Sequence, residues 1–239
     1  MRTALGLLLL CLTAAPSAFA AEISLTVAEG VAIKAEETGK GDYGVVLVHG
    51  QNRSRQDWAY LAEKLTAQGY RVVAVDLRGH GATAGELPQP PEDLNPLTAD
   101  VDAAIAYLQT KGAKQIGVIG ADLGANLAAN AAANNPAVTS LVLLSPGINI
   151  KGVKAGPAVE KYGARPVLIV ASSEVAYDLK SAAYLEGKAL GTKHTELLDN
   201  AGTGTKMLSR DPNLEGLIYS WLNGTWAMQF QTGNIQVVG

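Results

Sequence analysis

The chain has 239 residues, with 19 Lys plus Arg against 22 Asp plus Glu, a net charge of −3 and a hydrophobic fraction of 48%. This balance offers no strongly basic surface for nucleic acid or for an anionic membrane. The single cysteine, Cys11, excludes a disulfide framework, so stability must come from a hydrophobic core, and the length suffices for one domain.

The N-terminus has the pattern of a secretory signal peptide. A basic residue, Arg2, precedes an apolar run at residues 4–12, and Ala18-Phe19-Ala20 supplies the small residues of a cleavage site. We therefore predict that residues 1–20 are removed and that residues 21–239 are exported to the periplasm or secreted. No later segment approaches the ~18 unbroken apolar residues that a transmembrane helix needs, so the mature chain is expected to have no transmembrane segment.

The mature sequence begins with a predicted antiparallel hairpin at residues 23–39 and then alternates apolar runs with segments of helical spacing. Continuous apolar runs are typical of strands buried on both faces of a parallel sheet. The pattern predicts one α/β domain over residues 21–239, with a doubly wound, mostly parallel sheet; the tail at 225–239 could add an edge strand. The predicted strands are 45–48, 71–76, 115–120, 140–145, 166–172 and 194–199; the predicted helices are 57–69, 97–112, 123–135, 177–190 and 213–222.

The loops after these strands carry recognisable motifs. HG at residues 49–50, DLRGHG at 76–81 and GADLG at 120–124 occur in this order after three successive apolar runs. Across residues 44–223 the chain resembles the α/β-hydrolase superfamily, in particular small esterases and dienelactone hydrolases. The segment at 147–164 is too short for the full lid domain of larger members, so a lidless hydrolase fold is expected.

The resemblance implies acyl transfer to a nucleophile on a sharp strand-to-helix turn, the nucleophile elbow, with an oxyanion hole of backbone N–H groups. It assigns the oxyanion donors to the backbone amides of Gln51 and Leu123. It also implies that Gly120, Gly124 and Ala125 are small because the helix passes close to the neighbouring strands.

The positions of the catalytic triad depart from the family pattern. Asp122 stands where related sequences have serine, and Thr203, in AGTGT, stands where they have histidine. Glu174 is the best match to the acid position, and Asp178 is a poorer one. Because a threonine hydroxyl cannot act as a base near neutral pH, the sequence predicts a degenerate triad.

The three histidines do not obviously replace the missing base. His49 and His80 match positions that the family uses to orient loops, and His194 precedes a predicted strand, roughly 20 Å from the site at ~3.3 Å per residue. A metal site of Asp57, Asp76 and His80 would span a helix and a strand, and no phosphate-binding glycine loop follows the first strand. No cofactor and no metal is expected.

Two hypotheses for Asp122 remain open. In one, Asp122 caps the following helix and the chain is a non-catalytic relative of carboxylic-ester hydrolases, which binds a small apolar or neutral ligand or a protein partner. In the other, Asp122 is a nucleophile, as in haloalkane dehalogenases and epoxide hydrolases, and the chain hydrolyses an ester, lactone, epoxide or haloalkane. The second hypothesis needs a histidine to hydrolyse the covalent intermediate.

Overall fold

A computed structural model describes residues 20–27, 30–83 and 85–226. The predicted signal peptide, except its last residue, and the tail after Trp226 lie outside the described residues. The strands are β1 Ala21–Thr26, β2 Ala32–Thr38, β3 Tyr43–Val48, β4 Arg71–Val75, β5 Gln115–Ala121, β6 Val138–Leu144, β7 Asn149–Ile150, β8 Val153–Lys154, β9 Val167–Ser172 and β10 Lys193–Leu198. The helices are α1 Ala59–Ala67, α2 Thr98–Thr110, α3 Leu123–Asn134, α4 Gly156–Tyr162, α5 Ala176–Lys188, α6 Lys206–Arg210 and α7 Leu214–Leu222.

Eight strands form one sheet in the order β1-β2-β4-β3-β5-β6-β9-β10. Strands β3, β4, β5, β6, β9 and β10 are parallel, whereas β1 pairs with β2, and β2 with β4, in the antiparallel sense. The predicted fold class, including the N-terminal hairpin, is confirmed. Because the parallel strands point the same way, the loops that follow them meet at one edge of the sheet.

Helices cover both faces of this sheet, as the continuous apolar strands require. Successive residues of β3 alternate between the two resulting cores: Val46 and Val48 pack in one, and Val45 and Leu47 in the other, all fully buried. Helices α2 to α5 line the first core, and α1, α6 and α7 line the second. Each such side chain contributes roughly 1.5–3 kcal/mol relative to an exposed position.

The segment between β6 and β9 is short, as predicted. It consists of the two-residue strands β7 and β8 and the helix α4, and the described residues contain no full lid. The buried side chain of Asn126 holds it in place: Nδ2 donates to the carbonyl oxygens of Gly147 (2.9 Å) and Val153 (2.7 Å), and Oδ1 accepts from the Gly147 amide (3.0 Å). Of the described helices, none is long and apolar enough to cross a membrane.

The start of α3 approaches the sheet so closely that two glycines are required. A Cβ atom on Gly120 would lie 2.2 Å from the carbonyl oxygen of Gly124, and one on Gly124 would lie 2.3 Å from that of Val48. Both neighbours are backbone atoms and cannot rotate away. The backbone around Gly120 and Gly124 therefore leaves no room for a side chain at either position, and the neighbouring Ala125 is fully buried.

Gly124→Ala should lower the free energy of unfolding by about 3 kcal/mol or more, because the added methyl group overlaps backbone oxygens. Gly216→Ala is the matched control: the new Cβ atom meets nothing within 4 Å in helix α7. There the better helix propensity of alanine should raise stability by up to about 1 kcal/mol. Denaturant unfolding of both variants measures the difference, and equal stabilities would contradict the packing account.

Candidate active site

The candidate site lies at the edge of the sheet where β3, β5, β9 and β10 end. Asp122 occupies the sharp turn between β5 and α3, with φ 52° and ψ −122°. Its amide donates to the carbonyl oxygen of Leu144 (2.9 Å), which fixes the turn to the neighbouring strand. A non-glycine residue in this conformation costs of order 1–3 kcal/mol, which is typical of a nucleophile elbow.

The side chain of Asp122 does not cap α3, so that expectation is wrong: no side-chain hydrogen bond reaches the first amides of the helix. Oδ2 instead accepts a hydrogen bond from the backbone amide of Gln51, at 3.2 Å, in the loop after β3. Because φ is positive, the side chain points towards the loop after β3 rather than towards the first amides of α3. One of the two predicted oxyanion donors is thus engaged by the protein's own carboxylate.

The second predicted donor, the amide of Leu123, is the first of α3 and has no intrahelical acceptor. Among the described residues it has no backbone partner outside the helix. The oxyanion hole of an esterase needs two such amides aimed at one oxygen. In this protein the two amides differ. The Gln51 amide donates to the Asp122 carboxylate, whereas the Leu123 amide has no acceptor among the described residues.

Glu174 lies in the turn after β9, at the predicted acid position, and holds the loop after β10. Its carboxylate accepts hydrogen bonds from the Ser172 hydroxyl (2.6 Å) and from the amides of Asn200 (3.0 Å) and Gly202 (2.8 Å). The hydrogen bond from Ser172 and then that from Gly202 lower the pKa of Glu174 to about 2. The side chain is therefore an ionised anchor of this loop.

Thr203, at the predicted histidine position, is exposed in the loop that Glu174 holds. The loop is also fixed on its inner side, where the amide of Gly204 donates to the hydroxyl of Ser145 (2.8 Å). Thr203 and Asp122 line the same cavity. The structure thus brings the three triad positions to one edge of the sheet, and among the described residues no histidine lines the cavity there.

Asp178, the poorer acid candidate, lies in the first turn of α5 and is 5% exposed. One of its carboxylate oxygens, Oδ2, has no hydrogen-bond partner among the described residues. Burial raises the pKa of Asp178. A hydrogen bond from Ser145 lowers this pKa, whereas the negative charges of Asp122 and Glu174 raise it. It does not line the cavity that Asp122 and Thr203 share.

The histidines keep the structural roles that the sequence suggested. His49 is fully buried; its Nε2 accepts a hydrogen bond from the Leu77 amide (3.1 Å), so Nδ1 carries the proton that it donates to the carbonyl oxygen of Gly50 (2.8 Å). Burial lowers the pKa of His49 to about 4. Nδ1 of His80 lies 3.0 Å from the carbonyl oxygen of Arg78. The His49 ring thus ties the loop after β3 to the loop after β4, whereas the His80 ring bonds within its own loop and lies 5.1 Å from the ring of His49.

His194 is near the start of β10, and its Nε2 lies 2.8 Å from the carboxylate of Glu196. Two acidic residues of the metal site weighed in the sequence analysis are engaged in other contacts: Asp57 accepts two hydrogen bonds from Arg53, and Asp76 pairs with Arg55. Across the described ranges, no group of three or more His, Cys, Asp or Glu residues could hold a metal ion.

A cavity of about 180 Å³ opens above the elbow, and we call it the elbow cavity. Sequence reasoning missed three of the polar residues that line it: Arg53, Thr205 and Lys206. Arg53 and Lys206 follow Gln51 and Thr203 by two and three positions, so a survey of every polar residue in the loops after the strands could have found them. The lining residues are Gly50, Gln51, Arg53, Ala121, Asp122, Thr203, Gly204, Thr205 and Lys206.

This arrangement of loops agrees with the match of residues 40–215 to the family described as serine aminopeptidase, S33. The chain belongs to this family of α/β-hydrolases. The S33 match covers the elbow, the acid position and the loop of Thr203.

Solved structures of α/β-hydrolases resemble most of this chain. An esterase of Pyrococcus furiosus aligns with a TM-score of 0.72 at 18% identity, covering 87% of this chain and 90% of that one. A dienelactone hydrolase of Anabaena variabilis aligns with a TM-score of 0.70 at 21% identity, over 87% and 98% of the two chains. At these identities the likeness shows the fold alone.

Similarity to curated proteins is local. Epoxide hydrolase B of Mycobacterium tuberculosis is 37% identical over 78 residues, which are 33% of this chain and 21% of that protein. The non-heme chloroperoxidase of Streptomyces lividans is 35% identical over 95 residues, 39% and 34% of the two chains. The chain thus matches between a fifth and about a third of the length of these relatives.

The lowered pKa of Glu174 predicts how its loop responds to acid. A carboxyl group whose pKa is lower in the folded protein than in the unfolded chain stabilises the folded loop. For Glu174 this stabilisation is complete above the ordinary pKa of 4.5 and is lost as the pH falls towards 2. Amide hydrogen exchange of Asn200 and Gly202, corrected for intrinsic rates, should therefore accelerate over this interval.

Glu174→Gln should accelerate that exchange at neutral pH and remove its response to acid. Glu63→Gln, at an exposed position on α1, removes the same charge away from the loop and should leave the exchange unchanged. Equal protection in the Glu174→Gln variant and the parent would show that the carboxylate does not anchor the loop.

Proposed function

We propose that this chain is an exported, non-catalytic relative of carboxylic-ester hydrolases that binds a small polar molecule in the elbow cavity. The observation that carries the proposal is the hydrogen bond from the Gln51 amide to the carboxylate of Asp122, at 3.2 Å. It puts a fixed negative charge against the donor that an esterase would aim at the developing oxyanion. An anionic tetrahedral intermediate would be repelled there.

The absence of a base within reach supports the same proposal. A general base must lie within hydrogen-bond distance, directly or through one water, of the proton that it removes. Of the described residues that line the elbow cavity, none is a histidine. His49 uses both ring nitrogens in hydrogen bonds to Leu77 and Gly50, and its pKa of about 4 keeps the ring neutral.

The lining of the elbow cavity favours a polar ligand over an apolar one. Three of its residues are charged, Arg53, Asp122 and Lys206, and two more, Thr203 and Thr205, carry hydroxyl groups. An apolar molecule would remove these groups from water without replacing their hydrogen bonds. The volume of about 180 Å³ accommodates a small molecule; a protein partner is the other ligand that the sequence leaves open.

A second function is favoured by one observation, the 37% identity to a segment of an epoxide hydrolase. Oδ1 of Asp122 accepts no hydrogen bond from the described residues and could attack an epoxide carbon, breaking the C–O bond and leaving an alkyl ester on the protein. The alkoxide would take a proton from solvent. Without a base to activate water, this ester would persist, so the reaction would stop after one event.

The export part of the proposal is supported by the sequence of residues 1–20 and by the start of the first strand. β1 begins at Ala21, directly after the predicted cleavage point at Ala20. Cleavage there would leave all the strands of the sheet in the mature chain.

Turnover assays decide between the two functions. With an activated ester, a lactone, an epoxide and a haloalkane, we expect no turnover above buffer, and Asp122→Asn should behave as the parent does. Turnover that Asp122→Asn abolishes would overturn the non-catalytic proposal. A single covalent adduct on Asp122 without turnover, detected by mass spectrometry, would support the arrested nucleophile instead.

The degenerate triad predicts that two substitutions restore chemistry, because Glu174 already holds the loop of Thr203. Asp122→Ser combined with Thr203→His should hydrolyse an activated ester at least ~100-fold faster than the parent, the usual contribution of a positioned general base. The matched control, Asp122→Ser with Thr203→Val, lacks the imidazole and should stay inactive. Equal rates for the two double variants would contradict the assignment of these positions.

Export is tested by expressing the full chain in a bacterial host. We expect the periplasmic or secreted protein to begin at Ala21, as read by N-terminal sequencing. Replacing Ala18 and Ala20 by Arg should block processing, because the cleavage site requires small residues, whereas Arg at Ala14 and Ala15 tests the effect of charge alone. An unprocessed parent in the cytoplasm would contradict the proposal.

A further inference from the structure

We propose that the elbow cavity selects a short carboxylate that carries a hydrogen-bond donor, a hydroxyl or an ammonium group, on the neighbouring carbon. The inference rests on the proposed function, in which the cavity binds rather than reacts, and it specifies the chemical class of the ligand. It follows from the opposite charges that line one small cavity, from the fixed positions of Arg53 and Asp122, and from the available volume.

The cavity combines two cationic residues with one anionic residue. Arg53, which is ion-paired with Asp57, and Lys206 carry positive charge, and Asp122 carries negative charge. Lys206 is exposed, and its ammonium group forms no ion pair with another described residue. The residues thus favour a ligand that presents an anion to the basic side and a donor to the carboxylate.

Arg53 is held in place before any ligand arrives. Its Nε and Nη2 atoms donate to the two carboxylate oxygens of Asp57, at 2.6 and 2.8 Å. Asp57 also accepts a hydrogen bond from the hydroxyl of Thr205 (2.8 Å), across 148 positions of the chain. This chain of contacts leaves Nη1 of Arg53 without a partner among the described residues. A guanidinium that is already ordered loses less entropy on binding an anion.

Asp122 adds the requirement for a donor. Its Oδ2 atom is held by the Gln51 amide, and Oδ1 accepts nothing from the described residues. A simple carboxylate in the cavity would be attracted by Arg53 and Lys206 but repelled by Asp122. A neighbouring hydroxyl or ammonium group converts this repulsion into a charge-assisted hydrogen bond. Conversely, a donor without a carboxylate would face the basic side chains unpaired.

The volume restricts the ligand to a few atoms. The elbow cavity holds about 180 Å³, equivalent to roughly six water molecules at ~30 Å³ each. A three-carbon hydroxy acid or amino acid has about the same number of non-hydrogen atoms. Longer chains would have to extend past Thr203 and Lys206 into solvent.

Four probes of similar size separate the two required groups. Lactate and alanine carry both a carboxylate and a donor; propionate lacks the donor, and ethanolamine lacks the carboxylate. In calorimetric or NMR titrations of the mature chain we expect lactate or alanine to bind at least ~10-fold more tightly than propionate and ethanolamine, which corresponds to one charge-assisted hydrogen bond. The comparison of lactate with alanine identifies the donor as hydroxyl or ammonium.

Two variants assign the selectivity to the named side chains. Asp122→Asn should reduce the preference for the donor-bearing probe over propionate by ~10-fold, because propionate no longer meets a negative charge. Lys206→Gln should weaken the carboxylate probes several-fold without disturbing the fold, since Lys206 is exposed. Lys40→Gln removes the same charge at the opposite edge of the sheet and should leave binding unchanged.

The outcomes separate this inference from the proposed function. Selective binding without turnover supports both, provided that Asp122→Asn reduces the preference over propionate and Lys206→Gln weakens the binding of the carboxylate probes. Failure of all four probes to bind at millimolar concentration, or equal binding of all four, overturns the inference and leaves the non-catalytic proposal standing. Turnover of an ester or epoxide that Asp122→Asn abolishes overturns the proposed function whatever the probes do. If Lys206→Gln and Lys40→Gln weakened the binding of the carboxylate probes equally, the effect would come from the net charge of the protein and not from the cavity. That result would overturn the inference.

Discussion

The close approach of the first turn of α3 to strands β3 and β5 is the constraint on which the site depends. It requires glycine at 120 and 124, because a Cβ atom at either position would meet backbone oxygens at 2.2 to 2.3 Å. The turn that achieves this approach forces residue 122 to φ 52°. That conformation projects the side chain of Asp122 towards the loop after β3, so the hydrogen bond to Gln51 follows from backbone packing.

The loops around the elbow are stabilised by groups that do not depend on catalysis. His49 ties the loop after β3 to the one after β4, and Glu174 ties the turn after β9 to the loop of Thr203. Each contact satisfies backbone amides or carbonyls that have no partner in the sheet. The arrangement of a hydrolase site can therefore persist as structure in a chain that has Asp122 and Thr203 at two of the three triad positions.

Electrostatics determine what such a site can accept. Asp122, Glu174 and the buried Asp178 place three carboxyl groups near the same edge, and the pKa of Asp178 is raised in part by the other two. These negative charges would repel a developing oxyanion. The nearby Arg53 and Lys206 would attract an anionic ligand that also carries a hydrogen-bond donor for Asp122. The same charges thus argue against esterase chemistry and for a particular kind of ligand.

The sequence by itself determined the sheet and the order of the loops, because buried parallel strands leave continuous apolar runs. It also predicted three triad positions, which the structure brings to one edge of the sheet. Only the tertiary structure decided the direction of the Asp122 side chain, which the sequence left open between a cap of α3 and a nucleophile. It also joined Arg53, Asp57 and Thr205 across 148 positions. Such contacts depend on how separate loops dock against one another, and local patterns in the chain carry no record of that docking.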